Sequence, residues 1–393
     1  MKILVIDTDY PKFLYNLYKE HQGLKEASYD TQMKVRVESL FGIANYYANN
    51  LRKIGHEAWP IYANNEYMQK AWAEEHGVHI IDDKKHCILP QQMARAKKIL
   101  NNIIFSSKIP YLQLYKSMSV YPAWFYDILT AQVEYYQPDI LLNQAMNGID
   151  CQFMQKIKPN VGFLIGQHAA TKLVESENWK VYDLIVSSFP PTVEWFHKKG
   201  IHAELHRLGF EPQILSSLHE KGKIYDVSFI GSLVPKIHND RLVLLEEVCR
   251  KVNTTKIWTP DINQSSKNSP IRKAYSGEAW GRSMFQLLHD SKMTINHHGG
   301  IPPYANNMRL YEATGVGTLL ITDWKKNITD MFEPDKEIVV YRTWEECAEL
   351  VQYYLEHDKE REIIAKAGQK RTIADHTYYL RMKELIEITN KFR

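Results

Sequence analysis

Arg309 and Glu312 stand three residues apart in the run Asn306-Asn307-Met308-Arg309-Leu310-Tyr311-Glu312-Ala313-Thr314-Gly315. That spacing puts both on one face of a helix. A cation, a carboxylate and helix-start amides together suit a nucleotide diphosphate. The amides and Arg309 fit phosphate, and Glu312 fits ribose hydroxyls. Asn307 is of a helix-capping type and is expected to cap the helix. An exposed pair at this spacing adds only about 0.2–0.5 kcal/mol, so stability alone is a poor reason for it.

Other reactive residue types sit where strand patterns end. Gly231-Ser232 follows an apolar run, and a small residue there lets backbone amides approach phosphate. Lys236 and Arg241 come next, and either could neutralise a leaving diphosphate. Asn296-His297-His298-Gly299-Gly300 leaves another strand pattern, and Gly299-Gly300 permits close approach by a sugar. Neighbours on extended chain point to opposite sides, and no nearby Cys or carboxylate cluster supports zinc. His297 and His298 therefore read as donor-loop contacts.

Toward the N-terminus, His168 follows the strand pattern of residues 161–165, and Asp7 and Asp9 follow the first strand. Each could take a proton from an acceptor hydroxyl, and His168 could instead touch donor phosphate or sugar. Asp7-Thr8-Asp9 has the spelling of a DxD metal clamp, but it follows the first strand of the acceptor-side half. No metal site is expected.

These residues need strands and helices to hold them. Period-2 apolar runs predict strands at 2–6, 56–61, 140–143, 161–165, 184–187 and 202–207. Further strands are expected at 225–230, 256–258, 293–296, 318–322 and 337–341. Helical patterns fall between most of them, including 37–54, 240–252, 280–288, 344–356, 359–374 and 378–389. Strands alternating with helices argue for parallel, doubly wound sheets, which bind ligands beyond their strands' carboxyl ends. The long connection from Asp7 to Arg36 reads as a lid or an acceptor-side insertion. Residues 84–137 read as helical and aromatic, either core packing or an acceptor groove or membrane-facing surface.

At 393 residues two domains are expected, and 44% hydrophobic with 24% charged residues is ordinary for a soluble globular chain. A net charge of +3 gives no case for nucleic-acid binding. Cys87, Cys151, Cys249 and Cys347 form no CxxC pair and suit reduced thiols. No signal peptide or membrane-spanning run is legible, so a cytoplasmic protein is expected, with peripheral membrane contact left open.

The second half resembles the CgeB-like glycosyltransferases of the "glycosyl transferases group 1" type. The resemblance rests on Asp226-Val227-Ser228-Phe229-Ile230-Gly231-Ser232, on Asn307-x-Arg309-x-x-Glu312-Ala313-x-Gly315, and on the strand ending at Thr322. It continues through Ile338-Val339-Val340-Tyr341 and Tyr353-Tyr354-Leu355-x-His357. It ends with Ala367-Gly368-x-x-Arg371, His376-Thr377-Tyr378 and Arg381.

The resemblance implies a GT-B fold, two Rossmann-like domains facing across a cleft. Residues 1–210 would form the acceptor side, residues 211–375 the donor side, and 376–393 a helix packing back on the first domain. It implies a metal-independent transfer of sugar from a nucleotide diphosphate sugar to a hydroxyl on a glycan, protein or small molecule. Glu312 would grip the donor ribose. Related retaining enzymes carry a further glutamate eight residues earlier, where this chain has Tyr304. Rival readings are a nucleotide-sugar epimerase or hydrolase on the same fold, and a non-catalytic two-domain ligand-binding protein.

Overall fold

The computed structural model describes residues 1–80, 121–168, 177–234, 239–298 and 303–393. Six strands form the first sheet: β1 (Lys2–Asp7), β2 (Glu57–Tyr62), β3 (Ile140–Asn143), β4 (Phe163–Gln167), β5 (Leu184–Ser187) and β6 (Ala203–Leu205). All pairs are parallel, in the order β2-β1-β3-β4-β5-β6. Five more form the second sheet: β7 (Tyr225–Ile230), β8 (Thr255–Trp258), β9 (Ser291–Asn296), β10 (Leu319–Asp323) and β11 (Val339–Tyr341). Its order is β11-β10-β9-β7-β8, again all parallel. Strand direction of travel reverses between β1 and β3 in one sheet and between β7 and β9 in the other. Those two gaps are the natural ligand crevices.

The apolar alternation in β1 explains its central place. Ile3 and Val5 enter one buried cluster, while Leu4 and Ile6 enter another on the opposite face. Each such side chain contributes about 1.5–3 kcal/mol when fully buried. The Ile3–Val5 cluster runs on into Ile230, Trp258, Leu310 and Tyr311 of the second half, so one core joins both lobes.

The two chain crossings between lobes are tied together. Phe210 N–H donates to the His376 carbonyl at 2.8 Å, and Tyr378 N–H to the Phe210 carbonyl at 2.9 Å. Beyond that staple, the Tyr378–Phe392 helix packs on the Ala44–Lys53 helix of the first lobe, with Tyr46 and Tyr378 stacked at 5.6 Å.

One sequence expectation changes. The helix expected over 37–54 is two helices, Tyr29–Glu38 and Ala44–Lys53. Positive φ at Leu40 (57°) and Gly42 (71°) breaks it. The Asp7–Arg36 connection, expected as a lid or an acceptor-side insertion, holds the helices Pro11–Glu20 and Tyr29–Glu38. In the aromatic stretch, Ala123–Tyr136 is a helix that buries Phe125, Ile128 and Leu129; the part at 84–120 lies outside the described residues. Cys151, Cys249 and Cys347 are free thiols. Among the described residues no helix is long and apolar enough to cross a membrane.

Candidate functional site

The crevice between β7 and β9 is built from their carboxyl ends. Arg309 opens the Arg309–Gly315 helix and reaches back to β7, its Nη2 donating to the Ile230 carbonyl at 3.0 Å. Its Nη1 lies 3.0 Å from Glu312 Oε2. Both side chains are nearly buried, 13% and 10% exposed, so this is no solvated surface pair. Burial raises the Glu312 pKa, and Arg309 opposes that shift.

Arg241 clamps the other side. Its Nη1 donates to the Ser232 carbonyl at 2.7 Å and its Nη2 to the His297 carbonyl, so it links the turn after β7 to the end of β9. Burial first, then Arg309 nearby, lowers its pKa to about 10 against the pull of Tyr341 and Asp323, and it stays charged near neutrality.

The turn at Gly231 and Ser232 is knitted internally. Gly231 N–H donates to the Trp258 carbonyl at 3.1 Å, and Ser232 Oγ to Asp261 Oδ2 at 2.6 Å. Leu233 N–H also donates to Asp261, at 3.0 Å. The amides of Gly231 and Leu233 therefore serve the turn, and side-chain cations supply the positive charge of the crevice. Lys236, Gly299 and Gly300 lie outside the described residues.

Asn307 does not cap the helix as its residue type suggests. Met308 holds the cap position with no side-chain bond, and the helix has only 7 residues. Asn307 Nδ2 instead donates to Asn296 Oδ1 at 2.8 Å, and Asn296 Nδ2 donates to Thr322 Oγ1 at 2.9 Å. This amide pair ties the donor-side loop to the ends of β9 and β10.

His297 and His298 do not diverge. Both turn Nδ1 toward Asp323 at the end of β10: His298 at 2.6 Å from Oδ1, His297 at 3.5 Å from Oδ2. The chain has left regular strand at Asn296, so strand alternation no longer applies. Lys325 Nζ stands 3.1 Å from Asp323 Oδ2. Burial works to raise the Asp323 pKa, but His298, His297 and Lys325 outweigh it and hold the carboxyl well below its usual range. Asp323 and Lys325 escaped sequence reasoning, although the carboxyl end of a parallel strand is the same signal that singled out His168.

Across the cleft, β1 presents Asp7 and then Asp9. Asp9 is locked: Arg36 donates from Nε to Oδ2 at 2.7 Å and from Nη2 to Oδ1. Asp7 has no such clamp. It accepts from Thr8 N–H at 2.8 Å, and burial followed by the Asp9 charge pushes its pKa up to about 6. Tyr10 lies 62% exposed beside it, its ring edge-on to Phe41 and Trp280. Enough protein surrounds its hydroxyl that burial, then the charges of Asp7 and Glu312, raises its pKa. His168 is buried (3% exposed) at the carboxyl end of β4, its N–H donating to the Val186 carbonyl at 3.0 Å. A narrow crevice between the lobes is lined by Ser188, Arg207, Asn306, Asn307 and Tyr311. Among the described residues, no group of three His, Cys, Asp or Glu is arranged to hold a metal ion.

Residues 241–387 match a family described as glycosyl transferase-like. Among solved structures, a glycosyltransferase from Rickettsia africae ESF-5 superposes with a TM-score of 0.60 at 11% identity, over 100% of this chain and 98% of that one. Anabaena HepE, solved with UDP and glucose, gives 0.60 at 11% identity over 100% of both chains. A sucrose-phosphate synthase from Thermosynechococcus elongatus gives 0.56 at 9% identity, covering 100% and 98%. No curated protein matches the chain in sequence. The fold is GT-B, two Rossmann-like domains with parallel sheets.

Proposed function

We propose that this chain is a glycosyltransferase that moves a sugar from a nucleotide diphosphate sugar to a hydroxyl acceptor. The observation that carries the reading is the nearly buried Arg309–Glu312 pair at the β7/β9 crevice. The match of residues 241–387 and the GT-B fold support the same reading. The order of motifs along the second half favours a CgeB-like member. HepE is solved with UDP-glucose, which makes UDP-sugars the first donors to test.

Glu312 accepts hydrogen bonds from the two ribose hydroxyls. Arg309, Arg241 and Lys325 offset the charge that builds on the leaving diphosphate, the largest catalytic contribution expected here. These cations do the work that a bound metal does in other transferases. In an inverting transfer, Asp7 takes the acceptor hydroxyl's proton as oxygen attacks the anomeric carbon. The bond from that carbon to the phosphate oxygen breaks, and the nucleoside diphosphate leaves with the electron pair. Asp9 is unsuited, because Arg36 occupies both its oxygens. His168 lies at the end of β4 on the same edge of the sheet, as a contact for donor or acceptor. The acceptor is a glycan, a protein or a small molecule, and no nucleic acid is involved.

Thermal shift with UDP, GDP, CDP and dTDP tests the donor site. One nucleotide is expected to raise the melting temperature in proportion to the logarithm of its excess over Kd. A protein that ignores all four nucleotides, and whose Glu312→Ala variant behaves as wild type in transfer assays, would end this reading.

A further inference from the structure

The loop that follows β1 carries an aromatic surface next to the Asp7 carboxylate. Tyr10 stands three residues after Asp7 and is 62% exposed. Exposure alone is ordinary for a single aromatic. What distinguishes Tyr10 is how firmly it is held. Pro11 follows it as the first residue of the Pro11–Glu20 helix, and Leu14 N–H donates to the Tyr10 carbonyl at 3.1 Å, so its backbone is fixed. Phe41 and Trp280 meet its ring at centroid distances of 5.6 and 6.2 Å, tilted by 64° and 75°. Neither neighbour lies flat on the ring, so a face of it stays open. Phe41 is itself stacked on Phe13 at 4.2 Å and stands edge-on to Trp280 at 5.6 Å. The next residue, Gly42, brings this loop against the base candidate, since a Cβ there would lie 3.8 Å from Asp7 Oδ2. Phe41 belongs to the first lobe and Trp280 to the second, so both lobes complete the surface.

A fixed ring with an open face and a carboxylate nearby match one class of acceptor. A pyranose has an apolar C–H face that lies flat on the electron-rich face of an aromatic ring, and it has hydroxyls around its rim. The C–H face meets Tyr10 while a rim hydroxyl meets Asp7. Because the tyrosine is already immobilised, stacking costs little side-chain entropy. A phenol stacks as well, but its hydroxyl ionises at a pKa of about 10 and has little need of a base, whereas an alcohol depends on one.

We propose that Tyr10 is the platform for the pyranose ring of a sugar acceptor, held in place by Phe41 and Trp280. The proposal rests on the transfer reading above and names its acceptor as a carbohydrate. Tyr10 touches the acceptor, and Trp280 is a positioning residue supplied by the donor-side lobe.

Two measurements on the full chain test this. Calorimetry with UDP-glucose, dTDP-glucose and GDP-mannose reads the donor site, and release of the nucleoside diphosphate above the acceptor-free background reads transfer. The acceptor probes are methyl β-glucoside, methyl β-galactoside, methyl α-mannoside, p-nitrophenol and a serine-containing peptide. At least one methyl glycoside is expected to accelerate release. Tyr10→Ala should then raise the KM for that glycoside roughly tenfold, while donor affinity stays at the wild-type value. Tyr10→Phe and Tyr10→Trp keep an aromatic face and should stay within about threefold of wild type. Trp280→Ala, a change in the other lobe, should raise the same KM by a smaller factor. An unchanged KM in Tyr10→Ala overturns the platform, as does a Tyr10→Phe variant as impaired as Tyr10→Ala. Transfer to p-nitrophenol or the peptide alone, or donor binding with transfer to none of the probes, also overturns it and leaves the donor site standing. Failure of all three donors to bind overturns the transfer reading itself, and the platform with it.

Discussion

Arg36 and Asp9 form a closed pair beside Asp7, their side chains only 1% and 2% exposed. The guanidinium also lies over the rings of Tyr62 at 3.9 Å and Phe13 at 4.8 Å, and Nη1 donates to the Phe41 carbonyl at 2.7 Å. Removing one partner strands a buried charge. Asp9→Asn is expected to cost about 3–5 kcal/mol in urea unfolding. A loss below about 1 kcal/mol would mean that the pair does not anchor the fold.

Asp7→Asn should act on turnover and leave the fold in place. If Asp7 is the base, transfer falls about 10²–10⁴-fold. In wild type, kcat/KM should rise with pH up to about 6 and then level, because the carboxylate must be ionised to take the proton. A variant within tenfold of wild type across this range would remove Asp7 from the mechanism.

The same substitution should stabilise the protein at alkaline pH. The folded-state pKa of Asp7 is raised from 3.8 to about 6, so the folded state holds that proton more tightly than the unfolded chain. The associated stability is complete below the unfolded value and is lost as pH rises through about 6. A shift of this size corresponds to roughly 3 kcal/mol. Asp7→Asn should therefore melt higher than wild type near pH 8 and alike near pH 4, a difference readable by calorimetry. Equal melting at both values would show that Asp7 ionises freely.

Glu312→Gln keeps the side-chain size and removes the charge that Arg309 meets at 3.0 Å. Nucleoside diphosphate affinity should drop about 10–100-fold, as expected for losing charge-assisted hydrogen bonds. Calorimetry gives the number, and unchanged affinity would free Glu312 from the donor site.

Gly281 lies at φ 50°, and a Cβ there would overlap the Ser39 carbonyl of the other lobe. Arg282 N–H donates to that same carbonyl at 2.8 Å, and Arg282 Nη2 to the Glu38 carbonyl at 3.2 Å. Gly281→Ala should break this contact and let the lobes part. Solution scattering should then show a larger radius of gyration, with weaker catalysis from a cleft that no longer excludes water. An unchanged scattering curve would show that the contact does not hold the lobes together.

Strands and their order of succession were legible because each is an apolar run bounded by turn residues. All eleven expected strands occur, each within a few residues of its predicted ends. The helix expected at 344–356 spans Trp344–Glu356, where Thr343 and Glu346 form a capping box. The helix expected at 37–54 failed because apolar periodicity continues through Leu40 and Ile43 while the backbone turns left-handed. Periodicity reports which side chains are buried, not whether the chain between them stays helical.

By itself the sequence determined that two parallel sheets would form and that Arg309, Glu312, His297, His298 and Asp7 would lie at strand ends or helix starts. Those outcomes depend on local apolar patterns, which neighbours along the chain settle among themselves. Only the tertiary structure decided which charges are already taken. Arg36 reaches Asp9 from 27 residues away, and Asp323 draws in His298 from 25. Coulomb energy depends on distance through space and on burial, and neither can be read from separation along the chain.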